Sequence, residues 1–437
     1  MDRTIPGTAW PEAEKSGARF ILPGFRLGFA LVTSLFFLWA IANNFNDILI
    51  RQFQKALALD RAEAGFIQFV FYLGYFIMAL PAGLVMRRFG YRAGILAGLG
   101  LYAAGALLFW PAAELRAFPA FLAALFVLAS GAAFLETAAN PYIVAFGDPA
   151  RASQRLNLAQ AFNGVGAVLA PILGGMFIFS GIEHRADALA AMSPAELTAW
   201  RASEAHMVQV PYLVLALVVI AVGVAIALVR LPRIATDEDA QAGHVSPLAL
   251  LRHRPLLAAV IAQFFYVGAQ VGIWSFFVDF TKDMLPATPE KTAAYLLSGS
   301  LVLFTLGRFI GAALMHRIPA QKLLLVFAIA NTVLCLVAAL ASGSVAVGAL
   351  ALTSFFMSIM FPTIFALGIA DLGARAAMAA SLIIMAIIGG AILPPLMGLI
   401  SRAEGGLQLA LGLPLLCFVV VALFAWRHVA HPSTSQE

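Results

Sequence analysis

Pro141-Tyr142-Ile143-Val144-Ala145-Phe146-Gly147 returns 221 residues later as Pro362-Thr363-Ile364-Phe365-Ala366-Leu367-Gly368. Two further pairs keep the same order. Leu73-Gly74-Tyr75-Phe76-Ile77 matches Leu306-Gly307-Arg308-Phe309-Ile310 at an offset of 233. Gly166-Ala167-Val168-Leu169-Ala170-Pro171-Ile172-Leu173-Gly174 matches Gly390-Ala391-Ile392-Leu393-Pro394-Pro395-Leu396-Met397-Gly398 at an offset of 224. Three collinear matches at nearly one spacing mark a duplication inside the chain. Each copy holds six long apolar runs, found with a window of about 19 residues. They lie at 25–50, 62–86, 93–112, 117–146, 155–181, 208–231, 255–282, 291–315, 321–341, 344–371, 376–401 and 407–427. Each crosses about 30 Å of hydrocarbon as a helix. Continuous rather than alternating apolarity excludes a strand barrel. The expected fold is all-α integral membrane, with twelve transmembrane helices in two six-helix pseudo-symmetric bundles and a site between them at mid-depth.

Composition agrees. The 437 residues are 62% hydrophobic and 11% charged, against roughly 25% charged in an ordinary soluble domain. That excludes a soluble enzyme, a disordered chain and a secreted disulfide scaffold. The net charge of +5 comes without a Lys/Arg-rich segment, so no nucleic-acid partner is expected. Cys335 and Cys417 both fall in apolar runs, which argues against a disulfide framework. The first apolar run exceeds a signal-peptide core and reads as a retained span.

Lys and Arg give the orientation. With both termini cytoplasmic, 17 of the 27 lie on the cytoplasmic side, 9 outside, and Arg308 within a span, as the positive-inside bias requires. The polar stretch around Asp237-Glu238-Asp239 separates the halves. The divisions expected are a cytoplasmic tail 1–24, a six-helix bundle 25–231, a cytoplasmic linker 232–254, a second bundle 255–427 and a tail 428–437. An outer loop at 182–207 is expected to carry a short helix capped by Ser193.

No catalytic motif is present: there is no H-E-x-x-H, no G-x-S-x-G, and no Lys that follows a Gly as a phosphate loop needs. The chain does not read as an enzyme, no cofactor or metal is expected, and any energy must come from an ion gradient. Polar groups inside spans then carry the argument, since each is costly in hydrocarbon. Glu136 lies near the middle of span four, where a charged carboxylate is expensive; it reads as a proton-binding group, or as a carboxyl hydrogen-bonded between helices. Asp47 closes Asn43-Asn44-Phe45-Asn46-Asp47 in span one. That cluster reads as a hydroxyl-binding face, or Asp47 as a cap at the helix end. Gln160 and Asn163 share a face of span five. Gln263, Tyr266, Gln270 and Trp274 share one of span seven, a polar and aromatic stripe suited to a sugar or to interhelical packing. Arg308 reads as an ion pair, a helix-packing group or a gate.

The chain resembles the major facilitator superfamily and, within it, the bacterial L-fucose/proton symporter family, from span one to span twelve. The resemblance is carried by Phe36-Phe37-Leu38-Trp39-Ala40 running into Asn43-Asn44-Phe45-Asn46-Asp47-Ile48-Leu49. It continues in Leu135-Glu136-Thr137-Ala138-Ala139-Asn140-Pro141, Arg155-Leu156-Asn157-Leu158-Ala159-Gln160, Tyr266-Val267-Gly268-Ala269-Gln270 and Pro362-Thr363-Ile364-Phe365. The outer loop, with Met192-Ser193-Pro194 and Pro211-Tyr212, is similar to the fucose member. The resemblance implies proton-coupled import of a hexose or deoxyhexose, L-fucose foremost, by alternating access. A glucose/galactose or other hexose symporter of the same family, and a passive facilitator, are the alternatives. It puts Glu136 at the proton carrier's position and Asp47 at that of the substrate-linked carboxylate. Asn44, Gln160 and Asn163 fall at central-cavity positions. Gln270 and Trp274 join the expected binding set, with Tyr266, Gln263, Phe361 and Arg308 as cavity wall or gate. Two departures stand out: Phe361 where the family carries a Tyr, and Met86 where the superfamily's loop signature carries an acidic residue. The partners implied are a small sugar, a proton and membrane lipid, for a monomer in the bacterial inner membrane.

Overall fold

The computed structural model describes residues 20–57, 61–178, 191–229, 231–232 and 247–430, with side chains given except at 42, 46–48, 50–51, 54–55, 61–65, 171, 174–175, 247–248, 290 and 374. Most of the two expected tails and of the linker therefore lies outside the described residues. Among those described, all regular structure is helical. Ten stretches are long and apolar enough to cross a membrane. One of them, Phe66–Leu115, runs 50 residues, about 75 Å of helix, and makes two crossings. The break is Gly90, at φ 82 and ψ 168, in the left-handed region that glycine tolerates. Gly74 before the break and Gly105 beyond it both abut residues 128–130 of the next helix, so the chain has doubled back. Ala152–Phe177, 26 residues long, supplies the twelfth span.

Span one is Arg26–Leu57, and spans two and three are the arms of Arg61–Leu115. Spans four to six are Phe118–Ala145, Ala152–Phe177 and Gln209–Leu228. Spans seven to nine are Arg254–Met284, Glu290–Leu314 and Ala320–Leu340. Span ten is two pieces, Gly343–Met357 and Met360–Ile369. Span eleven is Ala376–Met385 and Gly389–Ile400, joined by the tighter turn Ala386–Ile388. Span twelve is Gly406–Ala410 continued by Gly412–Ala430.

Spans ten and eleven each cross as one apolar stretch, as expected, with a local irregularity near mid-span. Hydropathy records only how apolar a stretch is, and a helix can break at mid-membrane if its freed backbone groups find partners. At the break in span ten, the Tyr266 hydroxyl donates to Met357 O at 3.1 Å and Arg308 Nε to Ser358 O at 3.3 Å.

Small residues let the spans approach closely. A Cβ on Gly105 of span three would sit 2.3 Å from Leu128 N in span four, and one on Gly131 of span four 2.3 Å from Tyr102 N in span three. This double contact fixes span four about one and a half turns from Glu136. Large apolar side chains such as Leu228, Leu340 and Leu416 remain exposed on the outside of the bundles, where lipid is the solvent. Cys335 and Cys417 are buried free thiols.

The expected helix after Ser193 is present as Pro194–His206. Ser193 Oγ accepts from Glu196 N at 3.3 Å, and Glu196 Oε2 accepts from Ser193 N at 2.8 Å, a complete capping box. Its far end docks on span one, where Gln52 Nε2 donates to both the backbone and the carboxylate oxygen of buried Glu204 at 2.8 Å.

The halves meet along two seams, span five against spans eight and ten, and spans two and four against span eleven. In the second seam Gly83 faces Ser381 closely. Among the described residues, the hydrogen bonds named here across the first seam fall toward the side on which the chain passes from one half to the other, called the linker side. Gln154 Nε2 donates to Ala312 O at 3.1 Å, and Asn157 Nδ2 to Thr363 Oγ1 at 3.1 Å and Met315 S at 3.4 Å.

Candidate functional site: a two-faced cavity between the halves

A cavity of about 450 Å³ lies between the halves, within the range of small-molecule sites. Its two walls differ in chemistry. The N-terminal half supplies Asn43, Asn44, Gln68, Glu136, Gln160 and Asn163, with Tyr72 and Tyr75. The C-terminal half supplies mainly apolar and aromatic surface: Val267, Val271, Trp274, Leu301, Phe304 and Phe361, with Gln270, Ser275 and Arg308 as polar exceptions. Gln68, Ser275 and Leu297 line the end away from the linker side, and Arg308 and Phe361 the floor.

Glu136 is 7% exposed. Its Oε2 is buried and meets no donor in hydrogen-bonding geometry, although the Trp39 indole, whose N–H is likewise unpaired, lies beside the carboxyl. Among the described residues no ion pair joins Glu136 to Arg308, yet the two are within electrostatic reach. A buried carboxylate oxygen without a donor is costly while it carries charge.

Arg308 is 4% exposed and spans the seam. Its Nη1 donates to the Gln160 carbonyl and, at 2.9 Å, to Asn163 Oδ1, while its guanidinium lies 4.4 Å from the Phe304 ring centroid. The Asn163 amide is thereby used at both ends, since its Nδ2 donates to Phe36 O at 3.2 Å. Gln160 Nε2 reaches Asn140 Oδ1 at 3.3 Å. Asn43 Nδ2 donates to the Tyr75 hydroxyl at 3.2 Å and Asn44 Nδ2 to Ala40 O at 2.7 Å.

Of the residues singled out in the sequence, Glu136, Asn44, Gln160, Asn163, Gln270, Trp274, Phe361 and Arg308 all line this one cavity. Tyr266 and Gln263 do not. Both are fully buried, and the Tyr266 hydroxyl is spent on the break in span ten. They share the face of Gln270 but lie about 6 and 10 Å farther toward the linker side, below the floor. Helical periodicity reports a face and says nothing of the depth at which a cavity closes. Asp47 falls in span one, with its side chain outside the described residues. Gln68, Tyr72 and Tyr75 were missed, although their spacing of four and three on span two is the same one-face signal that found the span-seven stripe.

The description "Major Facilitator Superfamily" matches residues 24–386. The L-fucose-proton symporter of Escherichia coli (strain K12) is 45% identical over 404 residues, 91% of this chain and 92% of that protein. The glucose/galactose transporter of Brucella abortus is 37% identical over 404 residues, 91% of this chain and 93% of that one. Among solved structures, that of the transporter FucP in the outward conformation superposes with a TM-score of 0.85 at 44% identity, over 92% of this chain and 99% of that chain. Twelve spans among the described residues, in two halves with a cavity between them, a match over most of the length and relatives of nearly equal extent lead to one assignment: the chain belongs to the major facilitator superfamily.

Proposed function

We propose that the protein is a proton-coupled symporter that imports a hexose or deoxyhexose, L-fucose foremost, by alternating access between its halves. The observation that carries the proposal is Glu136: a buried carboxyl on the polar cavity wall, beside the Trp39 indole and with no ion pair to Arg308 among the described residues. Such a group is easiest to hold neutral, so it takes a proton before the halves rock and gives it up where water reaches it. The names of the relatives, which include two L-fucose-proton symporters, support the same reading.

A monosaccharide suits the cavity because it too has two faces. Its hydroxyls need donors and acceptors, which the amides of Asn44, Gln160 and Asn163 supply together with the Asp47 carboxylate. Its apolar ring face packs on the wall that carries Trp274, with Gln270 as an amide on that side and Phe361 at the floor. Coupling follows from Asn163. A sugar hydroxyl that takes its Oδ1 competes with Arg308, and so loosens a bond that holds the seam on the linker side. Tyr266 and Gln263 serve below the floor as packing of the gate.

The linker side is read as cytoplasmic, both termini lie there, and the membrane is a bacterial inner membrane. The bundles 25–231 and 255–427 are the rocking units, and the monomer in lipid suffices. One proton carried with a neutral sugar moves one charge. At about 2.3 kcal/mol per 100 mV that supports a gradient of roughly 50-fold, since 1.4 kcal/mol is tenfold. A glucose or galactose substrate is the second reading, favoured by the Brucella relative's name and by Phe361, which leaves the cavity one hydroxyl short of the family pattern. Transport in proteoliposomes tests the coupling: Glu136→Gln is expected to retain sugar exchange and lose uphill accumulation. Full accumulation by that variant overturns the proton assignment, and uptake that stops at equilibrium in the unmodified protein establishes a passive facilitator.

A further inference from the structure

Trp274 is held from behind the cavity wall. Its indole Nε1–H donates to Ser354 Oγ in span ten at 3.0 Å. Ser354 Oγ in turn lies 2.5 Å from Ser300 Oγ in span eight. Both serines are buried, at 0 and 1% exposure, and neither lines the cavity, whereas Trp274 is half-buried and does. The Phe304 ring meets Trp274 edge-on, with centroids 5.0 Å apart. A hydroxyl has one proton and two lone pairs. Ser354 gives one lone pair to the indole and shares one hydrogen bond with Ser300, so a side chain from span eight fixes the direction in which it can accept. The indole is thus pinned at its polar edge by one hydroxyl, itself held by a second, and at its side by a ring.

An aromatic platform selects among sugars only if its plane is fixed, because a ring free to turn pays for its ordering in each binding event. Packing alone would leave the indole free to move between rotamers, and the polar edge of Trp would need another partner. We propose that Ser354, backed by Ser300, is a positioning residue for the substrate. It sets the angle at which the Trp274 ring receives the apolar face of the sugar, and through that angle the affinity and the preference among hexoses whose apolar faces differ. The proposal rests on the reading of Trp274 as the platform of the sugar site. Ser354 lies in the segment of span ten that ends at Met357, so the ring is tied to the piece of that span on the far side of its break.

The test uses the purified full chain, with L-fucose and D-galactose as probes, titrated by calorimetry and by tryptophan emission. Ser354→Ala is expected to weaken L-fucose binding by roughly fivefold, the worth of one neutral hydrogen bond. KM should rise in proportion, with the saturated transport rate within twofold, and the ratio of the two sugars' affinities should change. The emission of Trp274, isolated by difference from Trp274→Phe, should shift in Ser354→Ala. Adding Ser354→Ala to Trp274→Phe should do nothing further. Ser300→Ala, which leaves the indole bond intact, should move the same quantities less; it keeps the question open to refutation if Ser354→Ala does not fold. If Trp274→Phe weakens binding and the serine variants bind like the unmodified protein, the positioning role is refuted and the cavity reading stands. If Trp274→Phe itself binds normally, the platform reading fails and the proposal falls with it.

Discussion

Thr363→Val isolates one bond that holds the linker side closed. Thr363 Oγ1, fully buried in the second piece of span ten, accepts from Asn157 Nδ2 of span five at 3.1 Å. Valine keeps the shape of threonine and removes the acceptor. Asn157 still donates to Ser153 O at 2.8 Å and touches Met315 S at 3.4 Å, so its amide nitrogen is not left bare and the cost stays near that of one neutral hydrogen bond, about 1 kcal/mol. That cost falls on the closed arrangement alone, because in the open one water takes the place of the hydroxyl. The population open on the linker side should therefore rise about fivefold. Gln154→Ala removes a second seam bond, to Ala312 O at 3.1 Å, and the pair together should reach up to about 30-fold if the two effects add. The assay is the rate at which a membrane-impermeant maleimide labels A312C, a position 5% exposed when the seam is shut, with the two buried native cysteines as background. A labelling rate in Thr363→Val that is unchanged within twofold, or slower, refutes the assignment of this bond to the closed gate.

Other expectations are more direct. Asp47→Ala should abolish measurable sugar binding; unaltered affinity by calorimetry would remove Asp47 from the site. Gly105→Ala should cost more than about 2 kcal/mol, because the new Cβ would meet the backbone of Leu128 at 2.3 to 2.5 Å, where nothing flexible can give way. Gly100→Ala, with nothing within 4 Å, should be tolerated, and equal melting temperatures for the two variants would contradict the packing described for spans three and four.

What the sequence disclosed, and what it hid, divides along physical lines. Apolar run length placed twelve crossings, because the hydrocarbon thickness sets a minimum that the chain must meet everywhere. It is silent on the local irregularities in spans ten and eleven, since a segment such as Phe356-Met357-Ser358-Ile359-Met360 is as apolar broken as helical. The expense of a carboxyl in hydrocarbon singled out Glu136, and the structure sets it on the cavity wall. Face periodicity found Gln270 and Trp274 and also admitted Gln263 and Tyr266, because depth is decided by where the other half closes. Tyr72 and Tyr75 escaped because tyrosine passes for core as readily as for lining, and Ser354 because a serine behind a wall leaves no pattern on any face of its helix.

Of the three hydrogen bonds that Arg308 makes among the described residues, two end on main-chain oxygens, those of Gln160 and Ser358. A carbonyl is supplied by every residue type, so those two contacts survive any replacement of the side chains at 160 and 358 that leaves the helices in place. Exchanging the Gln160 amide gives up its bond to Asn140 Oδ1 and leaves in place the bond that the same residue's backbone makes across the seam. If Gln160 contacts the sugar as proposed, recognition and closure share a residue yet draw on different atoms of it, and a lineage can retune its diet at this position without having to rebuild its gate.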